Sequence, residues 1–425
     1  MVACQMGMSE IAKLLVEAGA DVHVQNTDGN TALTFASNKV MSEVVKLLVE
    51  RGADNISATS SESTTALSLA VEKGMSDWAK VLVERGASVN ATVTDGSTVL
   101  MFACQMGMSG VAMLLVEKGA DMDAKSVNGG HTALMIACLT EMPEVAKLMV
   151  DRGADINAKD SDGRTALMAA CQKGASEVAK LLVERGADID ARNTTTGVTA
   201  LMSACETSMA EVAKMMLERG AEFDATSMDG RTPLLCACGG GMTEVVKLLV
   251  ERGANIDAKE TKGDNTPLVV ACASGNSEAA KLLVERGADL NAKGLQGYTP
   301  LMFACMRGAL KLVKLLIDRG AEVNAKNEHG TSVLMLACAR GTPEVAKLLV
   351  KRGADVNVMG GTDGSQAIIY ASARGMSEVV KSLLKRGADI NAKDTNGASA
   401  YFMAVQNKHT HLAASLAAAG GGNGR

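Results

Sequence analysis

Aromatic side chains are scarce in this sequence of 425 residues, which has five Phe, three Tyr and a single Trp, Trp78. Large conventional cores draw much of their buried area from such rings. Here Ala, Leu, Val and 26 Met must fill the interior instead. Long apolar runs are missing as well: no uncharged span reaches the roughly 18 residues of a membrane-crossing helix, so direct membrane insertion is not expected. The amino end, MVACQMGMSEIAKLL, lacks the basic region and apolar core of a secretory signal. Cationic excess is also absent. The formal charge is −5, whereas dedicated nucleic-acid binders run strongly basic, and no nucleic-acid partner is expected.

Catalytic constellations are equally hard to find. The five histidines are His23, His131, His329, His409 and His411. The first three fall in outward loops, and none has a carboxylate fixed beside it by local spacing. His409 and His411 are two apart at a helix start, so they face different directions and form no metal pair. Gly239-Gly240-Gly241 follows a helix and lacks the Lys-Ser/Thr of a phosphate loop. The expectation is a non-enzymatic chain with no cofactor and no metal. A catalytic domain elsewhere in a longer parent chain would not be visible in it.

What the sequence does contain is a period. Thr-Ala/Pro-Leu starts at Thr31, Thr65, Thr132, Thr165, Thr199, Thr232, Thr266 and Thr299, with weaker copies at Thr98, Ser332, Gln366 and Ser399. An ordinary chain of this length would be divided into about two to four domains. A repeat of this length overrides that expectation, because stacked units bury their apolar faces on one another and need no central core.

The stretch Asp160 to Arg192 shows the unit. Asp162-Gly163 marks a tight turn. Thr165 opens a first helix from Leu167 to about Lys173, where its hydroxyl can accept from unpaired N–H groups. Gly174 ends that helix. A second helix runs from about Ser176 to Glu184, with Val178, Leu181 and Leu182 at helical spacing on one side. Gly186 stops it, and the chain runs outward to the next turn.

This pattern closely resembles the ankyrin repeat. Thr232-Pro233-Leu234, Gly241 and Gly253-Ala254-Asn255-Ile256-Asp257-Ala258 carry the likeness, which covers about 29–417. Residues 1–28 match the back part of one further unit, giving about twelve and a half units. The resemblance implies an all-α repeat solenoid, elongated and curved, of helix-turn-helix units with outward β-hairpin loops. One departure is consistent. The family's His after Thr-Pro-Leu is replaced by Met101, Met135, Met168, Met202, Met302 and Met335, so its hydrogen bond is lost and thioether packing takes over. A methionine ladder can serve as a peptide-binding strip, but core filling is the favoured explanation.

Nine of the ten cysteines, Cys4, Cys104, Cys138, Cys171, Cys205, Cys238, Cys272, Cys305 and Cys338, share one repeat position after a small Ala. Neighbouring units in a helical stack are about 10 Å apart, and a disulfide needs Cα atoms within about 7 Å. Free buried thiols in a reducing, cytoplasmic compartment are expected.

The alanines from Ala3 to Ala304 step by 33 and 34 residues in alternation, which breaks after Ala304. Met1 falls inside what should be a first helix, so either the protein starts with half a unit or the chain is part of a longer one. Residues 418–425, Gly-rich and without period, read as a flexible tail or linker.

The second-helix lysines, such as Lys13 and Lys180, form no basic stripe through the first nine, because each has an acidic residue four positions later; the row turns basic only at the last two, Lys347 and Lys381. The residue before the inter-helix Gly is more informative. It becomes Arg307, Arg340 and Arg374 in three successive units, roughly 10 Å apart. Tyr298 and His329, in the hairpins before the Thr slot, are expected to flank them. In ankyrin-like stacks this region belongs to the concave, partner-binding side. Guanidinium forks suit carboxylates or phosphates, so the expected partner is a protein with an acidic or phosphorylated segment. Three unrelated surface arginines remain the alternative. The function this implies is a protein-interaction scaffold or adaptor. Its rivals are an assembly subunit of a larger complex and the regulatory arm of a multidomain protein.

Overall fold

The computed structural model describes residues 1–53 and 65–421. They form α-helices in pairs, such as Ala166–Lys173 with Ser176–Glu184 and Pro300–Arg307 with Leu310–Asp318. Contacts divide the chain into two units, Met1–Ala221 and Glu222–Arg425. Within each, every first helix lies against the next first helix, and the second helices do likewise as far as Ser377–Lys385. The core is therefore a row of thin layers rather than one central mass.

The Thr slot explains where each first helix begins. Thr165 has extended backbone (φ −105, ψ 168), and its side chain accepts from the Met168 N–H at 3.4 Å. At Thr31 and Thr65 the box is reciprocal: Thr34 Oγ1 accepts from Thr31 N at 2.8 Å, and Ser68 Oγ from Thr65 N at 2.9 Å. Those hydroxyls occupy the position that Met fills later. Met101, Met135, Met168, Met202, Met302 and Met335 are all buried, so the ladder is core filling. Only Met335 also reaches the slot by its sulfur among the described residues, accepting from Ser332 N at 3.3 Å.

The inter-helix glycine is needed for its backbone, with φ +75 at Gly174 and +68 at Gly308. Four units place Val40, Glu141, Ser208 and Lys408 in the same slot, all at positive φ. In the outward turns, Gly230 is fixed by close approach: a Cβ there would stand 2.8 Å from the Lys259 carbonyl oxygen.

The Gly-Ala-Asp-x-Asn-Ala segment works as a hydrogen-bond relay. Asp155 Oδ1 accepts from Asn157 N at 2.9 Å, and Asn157 Oδ1 accepts from Asp188 N of the next repeat at 2.8 Å. Asn291 and Asn324 repeat the second step with Glu322 and Asp355.

The outward hairpins contain no strands among the described residues, only isolated bridges such as Arg192↔Thr199 and Lys326↔Ser332. Asn327 shows why: its Oδ1 takes the His329 and Thr331 N–H groups at 3.1 and 2.9 Å, closing the turn by a side chain instead of a ladder. One expectation needs correction: the ion-paired helix lysines reach back three residues, not forward four. Lys13, Lys180, Lys214, Lys347 and Lys381 meet Glu10, Glu177, Glu211, Glu344 and Glu378 at 2.8 to 3.3 Å. Both spacings put a pair on one helix face, and where both acids are present, at Lys13, Lys180 and Lys214, the glutamate of the first turn wins. Ala417–Gly421 adds one more helical turn, while 422–425 lie outside the described residues.

Candidate functional site

In the second unit the helices Pro300–Arg307, Val333–Arg340 and Ala367–Ala373 stand side by side. Each carries a bulky residue one turn before its arginine: Phe303 before Arg307, Leu336 before Arg340 and Tyr370 before Arg374. The i,i+4 spacing puts both on one face. All three arginines are exposed, Phe303 and Tyr370 are half-buried, and Leu336 is buried.

The three cations are not equivalent. Arg307 donates through one terminal nitrogen to the Ala273 carbonyl, and Arg374 donates through Nε to the Ala339 carbonyl at 3.0 Å. Each thus lies over the carboxyl end of the preceding first helix, whose free carbonyls attract a cation. Ser274 and Thr342 do the same with Cys238 and Cys305 at 3.0 and 3.4 Å, and His409 Nε2 lies 3.1 Å from the Ala373 carbonyl. Arg340 has no such tie: its side chain makes no hydrogen bond or ion pair among the described residues.

Two first-turn carboxylates of the second helices in these units are engaged. Glu344 pairs with Lys347 at 3.2 Å and Glu378 with Lys381 at 2.8 Å; those hydrogen bonds and that charge hold Glu378 below the usual carboxylate range. In Leu310–Asp318 the usual first-turn glutamate is replaced by Lys311.

Tyr298 and His329 occupy different rows. Tyr298, immediately before the slot Thr299, stacks on Phe303 with ring centroids 5.3 Å apart. His329 sits three residues before Ser332 at the turn tip, exposed, and its carbonyl accepts from Gly361 N at 2.9 Å. Sequence reasoning missed Tyr370. Its hydroxyl donates to Asp363 Oδ1 at 2.8 Å. Burial and this bond push the phenol up to about 12. Burial alone would raise Asp363, but bonds from Tyr370 and Ser365 outweigh it and leave the carboxyl low. A signal was present: four of the nine aromatics, Phe35, Phe102, Phe303 and Tyr370, fall four residues after a slot.

In the first unit, His131 does have a carboxylate beside it. Asp160 Oδ2, from the next repeat, is 3.7 Å from its Nε2 and 2.8 Å from Arg164 Nε. Asp160 also takes the Asp162 and Arg164 N–H groups at 2.9 and 2.8 Å, so this carboxylate closes a turn.

All ten cysteines are buried, and none is joined in a disulfide. Burial pushes Cys104, Cys171, Cys272 and Cys338 up to about 12, and Cys138, Cys238 and Cys305 higher still, which keeps them protonated and poorly nucleophilic. Among the described residues, no group of three or more His, Cys, Asp or Glu could hold a metal ion, and no helix is long and apolar enough to cross a membrane.

Comparison with known families agrees with this architecture. A model of three ankyrin repeats matches residues 1–93, 90–160, 158–227, 220–294 and 291–360, and a single-repeat model matches 363–395. No curated protein matches the chain. The fold is consistent with a protein-interaction or scaffold repeat module.

Proposed function

We propose that this chain, which belongs to the ankyrin repeat family, is an interaction scaffold or adaptor that holds an acidic or phosphorylated segment of a partner protein. The segment lies across Arg307, Arg340 and Arg374. The observation that carries this is Arg340, an exposed guanidinium without a carboxylate or carbonyl partner among the described residues, set between two arginines held in place by helix ends. A free planar fork matches a carboxylate or phosphate in bidentate fashion. The Tyr298–Phe303 pair beside Arg307 supplies an aromatic anchor, and His329 stands at the rim. The buried, protonated thiols fit a reducing, cytoplasmic setting.

A second reading, an assembly subunit of a larger complex, is favoured by a different observation. Val2, Met6, Ile11, Leu14 and Leu15 are exposed by 47 to 71%, and exposed apolar clusters mark contact surfaces. Val16, on the same helix, is buried at 6%.

The test is paired capture. Wild type is compared with R307E/R340E/R374E and with a control altered on the second helices, K46E/K147E/K281E. A partner kept by wild type and the control but lost by the arginine variant supports the proposal. A partner lost only by the control transfers function to the second-helix face.

A further inference from the structure

The rung spacing of the arginine face constrains what lies on it, and this step rests on the partner-binding role proposed above. Packed helix axes are about 8–10 Å apart, so each arginine is roughly that far from the next. A polyproline-II chain has three residues per turn and rises about 3.1 Å per residue, returning a side chain to the same face every ~9.3 Å. A β-strand rises about 3.3 Å but alternates faces, so residues three apart point in opposite directions. An α-helix covers the distance in about seven residues, but it seats a continuous apolar stripe in a groove. The row here offers no such stripe: Leu336, the middle rung, is only 8% exposed.

The aromatic residues point the same way. Proline-rich segments dock on aromatic-lined surfaces. In a chain with nine aromatic residues, Phe303 and Tyr370 precede the outer two arginines by one helical turn, and Tyr298 stacks on Phe303. Tyr370 is fixed by its 2.8 Å bond to Asp363, and Tyr298 by its stack on Phe303. The charge on each rung is one guanidinium, and two of the three already share a donor with a carbonyl. One fork suits one carboxylate, whereas phosphate recognition gathers several arginines at one point.

We infer that the docked segment is a polyproline-II stretch of a protein partner with Asp or Glu at every third position and proline between them. Each acid meets one of Arg307, Arg340 and Arg374, and the prolines lie against Tyr298, Phe303 and Tyr370.

The probe is a labelled (Glu-Pro-Pro)4 peptide, titrated into the full chain by fluorescence anisotropy. Its comparators are an isomer with the four glutamates adjacent, a helix-forming Ala-based peptide with glutamates seven apart, and (phosphoSer-Pro-Pro)4. The expected result is at least tenfold tighter binding of (Glu-Pro-Pro)4 than of any comparator. That binding should fall at least tenfold in R340E, with the circular dichroism spectrum unchanged. Equal or tighter binding of the clustered isomer or the helical peptide, lost in R307E/R340E/R374E, overturns the polyproline-II assignment and leaves the proposed face standing. Tighter binding of the phosphopeptide overturns the choice of carboxylate. Binding of (Glu-Pro-Pro)4 that survives the triple substitution overturns the face itself, and failure of every peptide to bind overturns the inference.

Discussion

Arg374 donates from Nε to the carbonyl oxygen of Ala339 at 3.0 Å, so the third cation of the row is tied to the end of the helix that carries the second. Arg340, one residue beyond Ala339, has no such tie. The two arginines share a repeat position and differ in what they contribute to folding.

Removing them should therefore have different costs. Arg374→Met should destabilise the second unit by about 1 kcal/mol, the net worth of a typical hydrogen bond. Arg340→Met should change stability by less than about 0.5 kcal/mol, as exposed substitutions do. Urea unfolding of the two variants checks this, and equal losses would mean that the carbonyl contact adds nothing.

Much of this architecture was legible in the sequence because a repeat writes its rules many times. The Thr slot, the inter-helix glycine and the apolar spacing of Val178, Leu181 and Leu182 locate the helix pairs, and the methionines are buried as their position suggested. What a single unit could not show is contact between units. Asp160 lies 29 positions after His131 and meets it only because the layers stack. The ties of Arg307 and Arg374 span 34 and 35 residues and depend on how far one helix end overhangs the next. The choice of Glu177 over Glu184 as the partner of Lys180 turns on side-chain direction, which spacing leaves open.

Val40 tests the backbone reasoning. It has φ +56 in the slot that other units fill with glycine, and it is half exposed. A left-handed conformation costs an L-residue roughly 1–2 kcal/mol, and a glycine returns part of that through unfolded-chain entropy. Val40→Gly should stabilise the first unit by about 0.5–1 kcal/mol, read as a higher urea midpoint. A lower midpoint would show that the valine side chain contributes more than its strain removes.

The thiols should be silent in the native protein. Burial raises Cys104 and Cys171 to about 12, so Ellman's reagent at neutral pH should report few thiols before denaturation and all ten of the sequence afterwards. Fewer than ten in denaturant without reductant would reveal a disulfide and contradict the stack.

The Tyr370–Asp363 pair sets two pH limits. Asp363 is lowered, so its stabilisation is present above its ordinary value of 3.8 and is lost as pH falls through the folded value. Tyr370 is raised from 10 to about 12, so its share is complete below pH 10 and disappears as pH rises towards 12. Tyrosinate absorbance should keep a late component in wild type that is missing in Tyr370→Phe. An identical titration in both would show that the bond does not persist in solution.

The central claim is that this chain binds a partner protein through one row of arginines, with Arg340 as its least encumbered member. Calorimetric titration of a purified natural partner into wild type, R340E and R307E/R340E/R374E tests it most directly. Truncating one side of a desolvated charge pair costs about 2–5 kcal/mol, so R340E alone should weaken binding by about that much and the triple variant further, with melting nearly unchanged. Equal affinity for all three proteins would contradict the account and move the binding surface away from these helix ends.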